Sequence, residues 1–258
     1  MNNYQVVVPI STVRDSPSSG ATCTSEALYG ETVSLLESHG EWMHVSQHHD
    51  NYRGFINKQD LKAVPTSGTG CETDTHAPTH WVKQSSTLLF KKPDLKSEIA
   101  HRIYFASELH LISIENTSFS QNSCGHFVWT EHCNSIDETT SLDPITLAKS
   151  HFLGMPYVWG GRSSAGADCS GLIQLLARSQ GLRIPRDSGD QEAFIKSVVP
   201  MDKRQTLDIV YWPGHTGMLL DANTLLHATA YKLSCVIEPL SDVTNRAGSP
   251  SSIRRLFQ

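Results

Sequence analysis

Cys169 stands at the head of an apolar helical run in "MPYVWGGRSSAGADCSGLIQLL", residues 155 to 176, with Asp168 before it and Ser170 and Gly171 after it. At a helix start, unpaired backbone N–H groups and the helix dipole favour negative charge, so a thiol there is expected to have a lowered pKa and to act as a nucleophile. The plainer reading is a small buried hydrophobe, a common fate of free cysteines. A thiol nucleophile needs a base and a group that orients the base. Two downstream histidines offer these roles: His215 in "WPGHTGMLL" and His227 in "NTLLHATA", twelve residues apart with a turn signal at Asp221 to Asn223 between them. A hairpin sets the two imidazoles side by side, His215 to take the thiol proton and His227 to hold it in orientation. For any one of the 13 histidines a surface or satisfied core position is the simpler reading, so the weight lies on the set and not on its members.

The elements that must position these residues follow from punctuation and period. "SLDPITLAKSHFLG" reads as a helix with Asp143 as N-cap, Pro144 at the first helical position and Gly154 at its end. "DCSGLIQLLARSQGL" reads as a second, with Leu172, Ile173, Leu175 and Leu176 on one face and Gly181 as the stop. "TLDIVYWPG", "HTGMLLDA", "TLLHATAY" and "SCVIEPL" carry strand signals. Helices followed by antiparallel strands predict an α+β domain over residues 141–258.

Residues 1–64 read differently, as short β segments, "YQVVVPI", "ETVSLLES", "EWMHVSQ" and "YRGFINKQDL", between Gly, Ser, Asn and Asp turns. In "GEWMHVS" Trp42, His44 and Ser46 alternate with Met43 and Val45, the two-residue period of a half-buried strand. "PTSGTGCETDTHAPT", residues 65–79, has no apolar period and reads as a linker. Strand signals resume over 80–140, predicting a second small β domain. Both β segments resemble bacterial SH3-like domains, chiefly through "GEWMHVS…YRGFINKQDL".

Taken in order, "Y-V-W-G-G…D-C-S-G…P-R-D-S…H-T-G…L-L-H-A" resembles the NlpC-type family of bacterial cell-wall peptidases, over residues 143 to 258. That resemblance implies a papain-like α+β domain preceded by two SH3-like barrels, with Cys169 as nucleophile, His215 as base and His227 as third polar member. It also implies a substrate cleft lined by Tyr157, Asp168, Ser170, Asp187 and Ser188. Asp168 and Asp187 could pair with a peptide's free amine, while the three hydroxyls offer neutral hydrogen bonds. Asp168 could equally be a helix N-cap, and Asp187 and Ser188 a cap before "QEAFIKSVV". Gly160 and Gly161 would let the backbone turn close to the thiol. The implied reaction is acyl transfer at the bond between the γ-carboxyl of D-glutamate and a diamino acid (diaminopimelate or Lys) in murein peptides. The domain combination resembles members that trim free L-Ala-γ-D-Glu-diamino acid peptides in wall recycling, with the first SH3-like domain selecting the free L-Ala. Glu26 in "SEALYGE" and Tyr52 in "NYRGF" are candidates for that contact, against the plainer readings of a loop charge and a barrel aromatic.

Composition narrows the alternatives. A formal net charge of −5 and 18% charged residues provide no basic excess for nucleic acid. No segment has the roughly 18 uncharged apolar residues of a membrane span, and the N-terminus has no signal-like run, so a cytoplasmic location is expected. The resemblance implies a murein peptide as partner, and a monomer without a cofactor is expected. Six scattered cysteines are expected to be free thiols. Cys124, His126, His132 and Cys133 crowd into ten residues, but their spacing fits no common zinc pattern, and no metal is expected. The rival readings are a murein-fragment binding protein with an inert papain-like domain, and a thiol-dependent amidase or acyltransferase on another substrate.

Overall fold

A computed structural model describes residues 2–64 and 77–257. Most of the expected linker, residues 65–76 with Cys71, lies outside the described residues. The contacts of the chain divide it into two units, residues 1–140 and 141–258.

In the first unit, β1 (Asn3–Val6), β2 (Ile10–Arg14), β3 (Cys23–Leu28), β4 (Thr32–His39), β5 (Trp42–Gln47), β6 (Arg53–Asn57) and β7 (Leu61–Ala63) form one antiparallel sheet in the order β3-β2-β6-β5-β4-β1-β7. Strand alternation decides its core. Met43 and Val45 point inward while Trp42, His44 and Ser46 stay half-buried, as the period of β5 requires. Val6, Val13, Val33 and Ile56 meet them, each fully buried side chain contributing ~1.5–3 kcal/mol of transfer free energy. The sequence reading found four strands here. The two around "DSPSSGAT", β2 and β3, are missed because Ser and Thr dilute their apolar period, and the three-residue β7 because it is too short to show one.

Residues 80–135 add β8 (His80–Val82), β9 (Ser86–Phe90), β10 (Ile99–Tyr104), β11 (Glu108–Leu109), β12 (Leu111–Ser113), β13 (Phe119–Asn122), β14 (Phe127–Trp129) and β15 (Cys133–Ser135). They form sheets β10-β9-β14-β13-β12 and β11-β8-β15 around Val82, Leu89, Ile103 and Val128. Tyr29 from the earlier segment belongs to the same core, its backbone oxygen accepting from Glu108 N at 2.8 Å and its hydroxyl accepting from Asn122 Nδ2 at 3.0 Å. The neighbouring Gly30 has φ +82°, and a Cβ there would lie 1.7 Å from the Glu108 carbonyl oxygen.

The second unit begins with α1 (Pro144–Leu147), whose N-cap Asp143 accepts from the N–H groups of Ile145 and Thr146 at 3.0 Å, and which widens into a π-helical turn over 148–152 before Gly154 at φ +82°. A short hairpin, β16 (Arg162–Ser163) and β17 (Gly166–Ala167), leads into α2 (Cys169–Ser179). The expected one-sided apolar face understates α2: every residue but Arg178 is buried, so it runs as a central helix. After α3 (Ser188–Phe194) come β18 (Ile209–Trp212), β19 (His215–Asp221), β20 (Thr224–Thr229), β21 (Ser234–Pro239), α4 (Leu240–Ala247) and β22 (Ser252–Arg254). The sheet is antiparallel, in the order β21-β20-β19-β18-β22. Three details depart from the sequence reading. α3 begins at Ser188 itself and ends before "IKSVV", and α4 and β22 were not anticipated. Among the described residues no helix is long and apolar enough to cross a membrane.

Gly30 yields the first prediction. Gly30→Ala adds a methyl group against the Glu108 carbonyl in a left-handed conformation, and is expected to destabilise the first unit by about 3 kcal/mol, read as a lower urea midpoint. An unchanged midpoint would mean that the two β segments do not pack in this way.

Candidate active site

Cys169 is the first residue of α2 and is 7% exposed. What holds it there is its neighbour. Asp168 caps the helix, its Oδ1 accepting from Gly171 N at 2.8 Å, and its Oδ2 accepts from Gly160 N at 3.0 Å. Arg186, 2% exposed, grips the same carboxylate with both terminal nitrogens, Nη1 to Oδ1 at 2.9 Å and Nη2 to Oδ2 at 2.6 Å. Ser170 is tied into the cluster, its hydroxyl donating to Asp168 Oδ1 at 3.2 Å and accepting from Arg186 Nη1 at 2.8 Å. The glycine pair closes the site: Gly160 has φ +75°, and the Gly161 carbonyl accepts from Asp168 N at 3.1 Å and Arg186 Nη2 at 3.3 Å. That carbonyl also lies so near α2 that a Cβ on Gly171 would come within 2.2 Å of it.

The Cys169 sulfur faces the backbone N–H groups of Ser170 and Thr216. Thr216 directly follows His215, so the thiol meets the start of β19 where that imidazole is attached. The β19–β20 hairpin turns through Ala222 and Asn223 and brings His215 Nε2 to 2.7 Å from His227 Nδ1. Gly217 makes the approach possible, because a Cβ there would come within 2.9 Å of the His227 Cβ. His227 itself is 1% exposed.

The electrostatics correct one expectation. Burial pushes the Cys169 thiol up to about 11, and the Asp168 carboxylate adds to the rise. The N–H groups of Thr216 and Ser170 and the Arg186 guanidinium pull the other way without offsetting it. Burial likewise lowers His215 to about 4, helped by His227 and Arg246 and opposed by Glu238. The site thus holds a neutral thiol and a neutral imidazole at pH 7, not the standing thiolate that the helix start by itself predicts. A neutral thiol and a neutral imidazole can carry out acyl transfer when the thiol proton passes to the ring as the sulfur attacks.

Of the expected cleft residues, Tyr157 is half-buried and within electrostatic reach of the thiol. Burial first, then the charges of Cys169 and Asp168, push its hydroxyl up to about 12. Ser170 and Asp168 adjoin the thiol, both buried. Asp187 is exposed at the N-cap of α3 with no side-chain capping bond, and Ser188 is half-buried as its first residue. Glu26 and Tyr52 belong to the first unit. Glu26 is 8% exposed on β3, and Tyr52 packs against the β-sheet core just before β6. Cys124, His126, His132 and Cys133 do not converge. His132 Nδ1 lies 2.8 Å from the Thr87 hydroxyl and Cys133 packs in the core. The five cysteines among the described residues are free thiols.

Three residues of the site went unremarked in the sequence. Arg186 was only a letter of the "P-R-D-S" pattern, and the signal that could have raised it is a lone Arg between an apolar residue pair and an acidic helix start. Glu238 and Arg246 join the histidines, with Glu238 Oε2 2.9 Å from His227 Nε2 and 2.7 Å from Arg246 Nη2.

Comparison with known proteins bears on the class. Residues 154–246 match the NlpC/P60 family, and residues 13–61 match the bacterial dipeptidyl-peptidase Sh3 domain. A gamma-D-glutamyl-L-lysine dipeptidyl-peptidase of Bacillus cereus is 26% identical over 84% of this chain and 70% of its own length, and its namesake of Bacillus subtilis is 25% identical over 90% and 81%. Dipeptidyl-peptidase 6 of Lysinibacillus sphaericus is 23% identical, covering 88% of each chain. In fold, a crystal structure of an NlpC/P60 family protein from Bacillus cereus superposes with a TM-score of 0.81 at 22% identity, over 98% of this chain and 99% of that one. The second unit is therefore a papain-like α+β domain of the cysteine peptidases. The chain joins this NlpC/P60 domain to an N-terminal SH3-like domain of the bacterial dipeptidyl-peptidase type.

Two predictions follow from the geometry. Arg186→Met strands the Asp168 carboxylate in a buried site and is expected to lower stability by about 3 kcal/mol in urea unfolding, with activity falling as the head of α2 loosens. A change near zero would mean that the pair does not hold the helix. The second concerns pH. His215 takes up its proton near 6.5 when unfolded but only near 4 when folded, so its contribution is complete above pH 6.5 and is lost as pH falls toward 4. His227 shifts in the same direction, burial again being the main cause. The drop in denaturation midpoint over that window should be smaller in a His215→Asn, His227→Asn double variant. An identical pH dependence would contradict the buried neutral pair.

Proposed function

We propose that this cysteine peptidase cleaves the γ-D-glutamyl–diamino acid bond of murein peptides bearing a free N-terminal L-Ala, acting as a cytoplasmic monomer in cell-wall recycling. The observation that carries the reading furthest is the meeting of the Cys169 sulfur, at the head of α2, with the peptide N–H that follows His215, a residue whose ring is already paired with His227 at 2.7 Å. The names of the relatives matched over 70% and 81% of their own length, gamma-D-glutamyl-L-lysine dipeptidyl-peptidases, point to the same bond, with lysine as the diamino acid.

In this reading Cys169 attacks the γ-amide carbonyl and its proton passes to His215. Its own backbone N–H, in the first turn of α2 where no intrahelical carbonyl precedes it, faces the developing oxyanion. Protonated His215 then gives its proton to the leaving amine of the diamino acid. Water, deprotonated by the same ring, attacks the thioester and releases the acyl dipeptide, returning the thiol. His227 keeps the His215 ring in plane throughout. The hydroxyls of Tyr157 and Ser188 bond the substrate's backbone and carboxylates, and Ser170 adds to that wall from inside the Asp168 cluster. The free ammonium of the first residue is met by Asp187, which is exposed, and by the outer edge of Asp168, whose side chain is 12% exposed.

Two experiments test the reading. Cys169→Ala is expected to reduce release of the diamino acid from L-Ala-γ-D-Glu-L-Lys roughly 10,000-fold or more, followed by mass spectrometry of the products. Acetylating the substrate's amine removes the cation that the acidic wall awaits, and should lower kcat/KM by at least about tenfold. Undiminished turnover by the alanine variant would remove Cys169 from the chemistry. Equal rates for the free and acetylated peptides would remove the requirement for a free amine and leave the nucleophile untouched.

A further inference from the structure

The hydrogen-bond chain does not stop at His227. Its Nε2 lies 2.9 Å from Glu238 Oε2, and Arg246 donates to both oxygens of that carboxylate, Nη2 to Oε2 at 2.7 Å and Nη1 to Oε1 at 3.2 Å. The register explains the meeting. In the β20–β21 pair His227 is opposite Val236 and Leu225 opposite Glu238, so His227 and Glu238 are diagonal neighbours on one face of the sheet. α4 then brings Arg246 back over them, and its guanidinium lies 4.4 Å from the centre of the Tyr231 ring. Glu238 is mostly covered, its side chain 11% exposed. Burial pushes its carboxyl up, but the bonds from Arg246 and His227 outweigh burial and hold it below the usual range, so it is an anion at neutral pH.

An ionised carboxylate can only accept hydrogen bonds. Nε2 of His227 must therefore carry the proton, which leaves Nδ1 of the same ring with a lone pair. At 2.7 Å that lone pair takes the proton on His215 Nε2, and His215 Nδ1 is left as the unprotonated nitrogen. Nδ1 is then the nitrogen of His215 able to receive the thiol proton. One carboxylate, two rings away from the sulfur, decides which way every hydrogen in the chain points.

We propose that Glu238, steadied by Arg246, is a positioning residue that fixes the tautomers of His227 and His215 and stabilises the imidazolium formed when Cys169 gives up its proton. The inference rests on the roles proposed above for Cys169 and His215. The charged groups that act on the two rings are Glu238 on β21 and Arg246 on α4, while Asp168 and Arg186 act on the Cys169 thiol, which meets the Thr216 N–H next to His215. Glu238 and Arg246 act on the rings with opposite sign, the carboxylate favouring the imidazolium and the guanidinium opposing it.

That opposition separates a positioning role from a merely structural one. The full chain, labelled with nitrogen-15 in histidine, is compared as wild type, Glu238→Gln, Glu238→Asp and Arg246→Met, by imidazole NMR over pH 3 to 8 and by kcat and KM on L-Ala-γ-D-Glu-L-Lys. The wild type should show both rings protonated at Nε2. Glu238→Gln, whose amide can donate as well as accept, should give mixed or reversed tautomers, shift the titration of the pair to lower pH, and lower kcat roughly 10- to 100-fold with KM little changed. Glu238→Asp, which restores an obligate acceptor, should recover the wild-type tautomer, and Arg246→Met should shift the titration to higher pH. Wild-type tautomers and kcat in Glu238→Gln, or equal losses of activity in Glu238→Gln and Arg246→Met with both titrations unmoved, would overturn the proposal. Because the NMR signals do not depend on turnover, a failure of the nucleophile reading would appear separately, as activity surviving in Cys169→Ala.

Discussion

In the mechanism proposed above a proton passes between a buried thiol and a buried imidazole, and that constraint gives the construction of the second unit its sense. Neither Cys169 nor His215 is comfortable as an ion in its own surroundings, since burial raises the one to about 11 and lowers the other to about 4. The charges can therefore appear only together, and only if the geometry gives the proton one direction to travel. Two separate pieces of structure secure this. The Asp168–Arg186 clamp fixes the sulfur at the head of α2, and the hairpin of β19 and β20 fixes the rings.

Both pieces are built on small tolerances. The clamp uses five hydrogen bonds on one carboxylate, from Gly171, Ser170, Gly160 and two from Arg186, so the capping residue of the helix is also the anchor of the preceding loop. Arg186 also counters, without cancelling, the opposition of Asp168 to negative charge on the adjacent sulfur. The hairpin depends on Gly217, which leaves room for His227, and the clamp depends on Gly171, which lets α2 sit against the Gly161 carbonyl. These glycines are needed for close approach of backbone and side chain, a different reason from the left-handed turn at Gly160.

Much of this was legible in the residues themselves. Asp143, Pro144 and Gly154 punctuate the first helix as read, and the two-residue turn between β19 and β20 brings His215 and His227 together as their spacing predicts. What local reasoning got wrong was the charge state of Cys169. A helix start favours a thiolate, but that is a first-turn effect, and the near-complete burial of α2 is a tertiary fact that the run "CSGLIQLLARS" does not display. Glu238 was missed for a related reason, because in "SCVIEPL" it reads as a polar residue on the outer face of a strand. Its partner Arg246 lies on α4, whose punctuation was present in Pro239 and Gly248 but whose buried apolar face consists of Leu240 and Val243 alone. Diagonal contacts across a sheet and returns of a short helix are set by register and packing, and a single sequence displays neither.

The central claim is that the peptide's acyl group is carried on the Cys169 sulfur, with its proton taken by the imidazole next door. The most direct measurement is rapid mixing of the full chain with L-Ala-γ-D-Glu-L-Lys, acid quenching within milliseconds, and mass spectrometry of the digested enzyme. The account predicts a transient gain of one L-Ala-D-Glu acyl unit confined to the peptide containing Cys169. Its accumulation should be sharply reduced when His215 is replaced by Asn. Diamino acid released at full rate with no such adduct, or with the acyl group on any other residue, would contradict it.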